Sequence, residues 1–245
     1  MTTTELAIII GIAVIAALVK SVIGLGYPLI LIPALALFLD IADAIVIVAV
    51  SNFVLNIQIA WTNRSQVREA RTIRPFIAWG VAGTVIGTLL LPILPDRGLR
   101  IVLVAIIIAF LVNRRFGGAR GTGDPTATDR YVGPAGFVAG VFQGAAGVSG
   151  PIVSVWFLSR QLAVDAFVFA VTASFAVQGG IQIIVLLFQP QFHDELLLGS
   201  VIVPFVLLMV PLGGYLRTRL DTSRFEQLII VVLVAAAISL LVRVV

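Results

Sequence analysis

Two short motifs rich in glycine and proline are the parts of this chain best suited to bind a ligand through the backbone. The first reads K-S-V-I-G-L-G-Y-P over residues 20–28, and the second reads Q-G-A-A-G-V-S-G-P over residues 143–151. Each motif interrupts a long apolar stretch, and the two match at a separation of 123 residues, Gly24 with Gly147 and Pro28 with Pro151. Breaks at corresponding places in two halves of a membrane chain are typical of ligand sites.

The chemistry of these breaks favours an anion. A proline is tolerated in the first turn of a helix, so each motif is predicted to start a new helix. The free N–H groups and the positive dipole end of a helix start attract negative charge, and glycine lets a ligand approach the main chain. The alternative is a kink or close helix packing. The break residues assigned to the site are Ser21, Gly24, Gly26, Tyr27, Pro28, Gly147, Ser149, Gly150 and Pro151.

Lys20 is the only lysine of the chain and lies within an apolar segment, four residues before Gly24. A charge inside a membrane segment is expensive, so it marks a candidate functional site. There it would add a full positive charge to the anion site. The alternative is that Lys20 reaches a membrane interface. Gln143 takes this position in the second half and joins the candidate site.

Polar side chains also line one face of the third apolar segment in each half. Asn52 and Asn56 lie four residues apart, and so do Ser174 and Gln178 in the matching segment, so each pair shares a helix face. These four residues are predicted to line a substrate path and donate hydrogen bonds to it. The alternative is that they join helices to one another.

Asp43 and Asp165 begin the matching third segments. The expected role of both is helix capping and complementing the helix dipole, with proton coupling as the alternative. The chain has no cysteine and a single histidine, His193, so we expect no metal site and no cofactor. It also lacks phosphate-binding loops and the motifs of hydrolases, and we expect no enzymatic activity.

The composition explains which elements must position these residues. The chain is 60% hydrophobic and 11% charged, with a mean hydropathy of +1.15, whereas soluble domains carry about 25% charged residues. Its apolar runs are continuous and many approach the roughly 20 residues that cross a bilayer. They are therefore predicted to be helices, because an alternating barrel pattern is absent. The apolar segments are 5–23, 24–39, 43–61, 73–94, 98–113, 131–147, 149–160, 166–188, 196–216 and 225–243.

These segments predict an all-α polytopic membrane protein built from two repeats. Residues 1–113 form the first repeat, 114–130 a cytoplasmic linker and 131–245 the second repeat. Segments 24–39 and 149–160 are short. The broken pair in each half therefore either crosses twice or re-enters, which leaves ten spans or six spans with two hairpins open.

The arginines predict the orientation. Loop 62–74, the linker and loop 217–224 are rich in arginine, whereas loop 189–195 has no basic residue other than His193. The positive-inside rule places the first three in the cytoplasm. Matching loops of the two halves then lie on opposite sides, so the repeats are predicted to be inverted, with both termini outside.

The chain resembles the sulfite exporter TauE/SafE family of membrane proteins over essentially its whole length. The resemblance rests on G-L-G-Y-P and G-V-S-G-P at the breaks, on D-A at the start of the following helix, and on the small-residue runs G-T-V-I-G and P-L-G-G-Y. It implies export of sulfite or small organosulfonates across the plasma membrane of a prokaryote.

We therefore expect a secondary transporter that exports a small sulfur-containing anion by alternating access. An anion channel and a membrane scaffold or assembly factor are the alternatives. The expected partners are the anion and the lipid bilayer, with a homodimer left open and no nucleic acid.

Overall fold

The computed structural model describes residues 3–23, 26–67, 73–116, 131–158, 160 and 162–217, and these residues are mostly helical with no strand among them. The first half contains α1 (Thr3–Ile23), α2 (Tyr27–Leu35), α3 (Ile41–Thr62), α4 (Arg74–Leu90) and α5 (Asp96–Phe116). The second half contains α6 (Val132–Ala146), α7 (Gly150–Leu158), α8 (Val164–Leu187), α9 (His193–Leu207) and α10 (Met209–Arg217). The predicted last segment, 225–243, lies outside the described residues.

Among the described residues, three helical stretches are long and apolar enough to cross a membrane: Ile41–Thr62, Arg74–Ile93 and Asp165–Leu187. A fourth span is obtained if Pro190–Leu207 and Met209–Leu216, which meet at a bend of 41°, count as one. Large apolar side chains such as Trp61, Trp79 and Phe188 are exposed on the outside, as expected for surfaces that face lipid. The predicted all-helical membrane fold is confirmed.

The bend between α9 and α10 divides segment 196–216, which the sequence predicts as continuous. Pro211 has no backbone N–H, so it cannot bond to the carbonyl of Leu207 one turn earlier, and its ring crowds that carbonyl. The helix therefore ends at Leu207 and restarts at Met209.

The helices that follow the two Gly/Pro breaks are short. Both α2 and α7 have nine residues, which is about 14 Å at the helical rise and half of the hydrocarbon thickness. Gly26 and Gly147 adopt positive φ angles of 106° and 67°, a backbone region that favours glycine. The breaks therefore lie where the sequence predicts them, and the helices after them are shorter than predicted.

The two halves pack closely along α4 and α6. Glycines of each helix face the backbone of the other, and a Cβ on Gly83 or Gly140 would collide with the carbonyl of Phe137 or Gly80. Small residues let membrane helices approach to this distance. The small-residue face that begins at Gly83 is thus covered by α6 of the same chain.

Arg100 and Asp96 connect the start of α5 to the turn before α3, and we call this set of bonds the clip. The Nε of Arg100 lies 2.5 Å from Asp96 Oδ2 and its guanidinium donates to the carbonyl of Ala36. The other Asp96 oxygen accepts a bond from the backbone N–H of Ile41. The clip therefore fixes the turn that leads from α2 into α3.

Candidate functional site

A small cavity lies between the two Gly/Pro breaks, and both halves of the chain contribute to its wall. Its volume is about 20 Å³, room for roughly one water molecule. The residues that line it are Lys20, Gly26, Pro28, Leu29, Asn52, Gln143, Gly147, Val148, Ser149, Gly150 and Phe175. We call this space the central cavity.

Lys20 is the cation of the central cavity. Its side chain is 1% exposed, its Nζ donates to Asn52 Oδ1 at 2.5 Å, and the ammonium lies 5.7 Å from the centre of the Phe175 ring. Within the described part of the chain, no carboxylate pairs with Lys20. A buried charge that lacks an opposite charge is costly, so an anion is the missing partner that this wall would favour.

Gln143 occupies the matching wall in the second half and belongs to a neutral network. Its Nε2 donates to Gln182 Oε1 at 3.3 Å, and its Oε1 accepts from the hydroxyl of Ser149 at 3.1 Å. Gln182 in turn donates to the carbonyl of Gly144. The wall that contains Gln143 is polar but uncharged, so among the described residues the positive charge at the cavity comes from the Lys20 wall alone.

Two helix starts also border the central cavity. At these ends, the backbone N–H of Ile30 donates to the carbonyl of Gly26 in α2, and that of Val153 donates to the carbonyl of Ser149 in α7. The N–H groups that precede those donors have no acceptor within their own helix. Each helix therefore turns its positive end towards the cavity region.

The remaining polar residues predicted for the site lie around the cavity rather than on its wall. The hydroxyls of Ser21 and Ser174 bond to carbonyls of their own helices, and Tyr27 donates to Ser51 at 2.8 Å. Asn56 and Gln178 are fully buried, and their amide groups find no hydrogen-bond partner among the described residues.

Two of the predicted break residues are described only in part or not at all. Gly24 lies outside the described residues, and Pro151 is placed by its backbone in the first turn of α7.

The two predicted carboxylates lie at helix starts. Asp43 is in the first turn of α3, and Asp165 is in the first turn of α8. Asp165 borders a second cavity of about 520 Å³, which we call the vestibule and which is also lined by Ser21, Gln58, Ile59, Thr62, Asn63, Val210, Pro211 and Gly214. Neither carboxylate borders the central cavity, and no group of three metal-ligating side chains occurs in the described ranges.

Sequence reasoning did not assign Phe175 and Gln182 to the site. Phe175 follows Ser174 directly, but its ring meets Lys20 only because α8 packs against α3, which the side chain of Lys20 reaches. Gln182 continues the polar face of Ser174 and Gln178 by one more turn. That spacing was the one available signal for it, and its bond to Gln143 requires the packing of α6 against α8.

The comparisons with known proteins give one match. The model of a protein family described as "Sulfite exporter TauE/SafE" matches residues 9–240. No curated protein and no solved structure matches this chain.

Proposed function

We infer the function from one premise, that the chain belongs to the sulfite exporter TauE/SafE family, whose match covers most of its length. Members of this family are transporters and not enzymes. We propose that this chain exports a small sulfur oxyanion or organosulfonate from the cytoplasm, and that the anion binds in the central cavity.

The observation that carries this proposal is the buried ammonium of Lys20. An ammonium has three N–H donors, and one of them is directed at Asn52. The other two are available to the oxygens of a sulfite or sulfonate group. The apolar surroundings strengthen such charge-assisted bonds, because the local dielectric is low.

The helix starts and the neutral wall would complete the site. Backbone N–H groups at the starts of α2 and α7 can donate to the remaining oxygens of the anion. The hydroxyl of Ser149 lies beside the cavity and can turn from Gln143 to a bound oxygen. These donors would bind many oxyanions and do not distinguish between them. The choice of a sulfur-containing anion therefore comes from the family.

We further propose that the halves are repeats related by a two-fold axis. The packing supports this when the bent pair α9 and α10 is taken as one fourth element. The first helix of each half then lies against the fourth element of the other half, α1 against α10 and α6 against α4. The third helix of each half also contacts the fourth of the other, α3 against α9 and α8 against α4, while α3 and α8 pack together. Such reciprocal contacts are expected for two equivalent units.

Side-chain contacts of the two short helices favour opposite orientations for the two breaks. Tyr27 bonds to Ser51 in the middle of α3, so α2 runs from there back to the end of the bundle where α3 begins. The other short helix, α7, ends with Trp156 and Phe157 against Phe76 near the start of α4. Because α4 begins where α3 ends, the two short helices return to opposite sides. We propose two re-entrant hairpins in inverted repeats.

The proposed setting is the plasma membrane of a prokaryote, with both termini outside. The exposed Arg64, directly after α3, supports a cytoplasmic position for that end. The vestibule opens there, whereas the central cavity holds only about one water. A closed central site beside a one-sided opening suits alternating access better than a continuous pore.

Flux of sulfite into proteoliposomes that contain the purified protein tests the function. Saturable flux that sulfoacetate or taurine inhibits, and that chloride does not, would support a carrier for sulfur anions. Unsaturable flux in which chloride passes equally would instead indicate a channel. Folded protein that carries none of these anions would leave the scaffold alternative.

A further inference from the structure

Asn56 is a buried polar group that finds no hydrogen-bond partner among the described residues. It is fully buried on α3, and both its amide nitrogen and its amide oxygen lack a partner within the described residues. An unsatisfied buried amide is costly and rare in folded proteins. A ligand or water that visits the amide would remove that cost.

The position of Asn56 indicates where such a ligand comes from. Asn52 lies one turn before Asn56 and lines the central cavity, while Ile59 and Asn63 lie one and two turns after it and line the vestibule. These residues follow a helical spacing of four, three and four, so they share one face of α3. The distance from Asn52 to Asn63 along the axis is about 16 Å at the helical rise.

Helix α1 also runs past both the central cavity and the vestibule. Lys20 lines the central cavity and the next residue of α1, Ser21, lines the vestibule. Five of the nine residues that line the vestibule are polar, and one of them, Gln58, has a buried amide oxygen without a partner among the described residues. The central cavity and the vestibule are therefore neighbours along both α1 and α3.

We propose that the vestibule and Asn56 form the cytoplasmic half of the anion path, in which Asn56 donates its amide N–H groups to the anion on its way to Lys20. This rests on the proposed function and adds to it a defined route. An oxyanion is the ligand class that suits the amide donors and the ammonium beyond them. Asp165 lies at the exposed mouth of the vestibule, where water and salt screen its charge.

Thiol labelling tests the route without requiring transport. The chain contains no cysteine, so Asn56→Cys, Asn63→Cys and Leu55→Cys each carry a single thiol. Leu55 is the matched control, because it neighbours Asn56 in sequence and is equally buried, but belongs to the apolar core. The probes are an anionic sulfonatoethyl and a cationic trimethylammonioethyl methanethiosulfonate, added to inside-out and right-side-out vesicles.

We expect Asn63→Cys to react from one membrane side only and Leu55→Cys to stay unlabelled. Asn56→Cys should react from the same side as Asn63→Cys. It should also prefer the anionic reagent by about tenfold or more, since the unit charge of Lys20 lies against Asn52, one helical turn from position 56. The proposal is wrong if Asn56→Cys is as inert as Leu55→Cys, or if it reacts equally with both reagents.

Sulfite flux gives a second and separate readout. Asn56→Asp places a negative charge on the path and should lower flux at least about tenfold, and by more than Asn56→Gln, which keeps the amide. Wild-type flux in folded Asn56→Asp would overturn the route while leaving the central site intact. If the wild-type protein itself carries no sulfite, the proposed function is refuted. Anion-selective labelling of Asn56→Cys would in that case still support the route.

Discussion

Replacing Lys20 by methionine tests the central site most directly. Methionine keeps a long, unbranched side chain and removes the ammonium. If the bound anion accepts one charge-assisted hydrogen bond from Lys20, its loss costs about 1.5–3 kcal/mol. The dissociation constant of the anion should then rise between about tenfold and about 150-fold.

The same substitution should act differently on the stability of the empty protein. Lys20 is buried without a carboxylate partner among the described residues, and burial of an ion costs several kcal/mol. Against this, Asn52 loses one hydrogen bond to a charged group, worth about 1.5–3 kcal/mol. We therefore expect Lys20→Met to unfold at the wild-type temperature or above it. Weaker sulfite binding with no loss of thermal stability is expected of a residue whose role is to bind the ligand rather than to stabilise the fold.

Thermal unfolding in detergent with increasing sulfite measures both effects. At 100 times its dissociation constant, sulfite should stabilise the wild-type protein by about 2.7 kcal/mol. At that concentration, a tenfold weaker variant gains about 1.4 kcal/mol and a 150-fold weaker one about 0.3 kcal/mol.

Gln143→Met is the matched control, because Gln143 is neutral and lies on the opposite wall. It should weaken binding by less than Lys20→Met. The assignment of Lys20 is refuted if Lys20→Met binds sulfite like the wild type, or if it merely unfolds at a lower temperature with unchanged affinity.

Three further substitutions test the framework that holds the site, each by thermal unfolding. Gly140→Ala forces a methyl group into the α4 backbone and should destabilise by about 1–3 kcal/mol. Gly147→Ala meets both a left-handed φ of 67° and the Ile32 side chain at 2.9 Å, and should cost about 1–2 kcal/mol. Arg100→Met removes the bond to Asp96 and should cost about 1.5–3 kcal/mol.

Controls for these changes are available in the same chain. Gly11 lies in α1 with nothing within 4 Å of an added Cβ, so Gly11→Ala should be neutral or stabilise by up to about 1 kcal/mol. Arg97 is exposed beside Arg100, and Arg97→Met should change stability by less than about 0.5 kcal/mol. Equal effects at Gly140 and Gly11 would contradict the close packing of α4 and α6. Equal effects at Arg100 and Arg97 would contradict the clip.

The helices and their breaks could be predicted because their causes are local. A continuous apolar run requires a helix in lipid, and Gly26 or Pro28 acts on the backbone at its own position. The shape of α9 and α10 was missed for a related reason. Pro204 lies within α9, whereas Pro211 lies in the first turn after the bend, and one sequence does not indicate which proline will bend its helix.

The contacts between segments could not be predicted in the same way. The sequence marks Lys20 and Asn52 as unusual, but only the structure shows that the side chain of Lys20 reaches α3 and bonds to Asn52. Similarly, the glycines of α4 indicate a close neighbour without identifying it. The structure assigns that neighbour to α6, in the other half of the chain.

The size of the central cavity implies that its walls separate when an anion binds. The cavity holds about one water, and a sulfite ion is larger. The two walls differ in what resists such a movement. Tyr27 ties the start of α2 to Ser51, whereas Val148 and Ser149 at the start of α7 also border an apolar cavity of about 320 Å³ against α5. The start of α7 is also held, by the bond from Ser149 to Gln143, but the space beside it makes it the wall that moves at the lower cost.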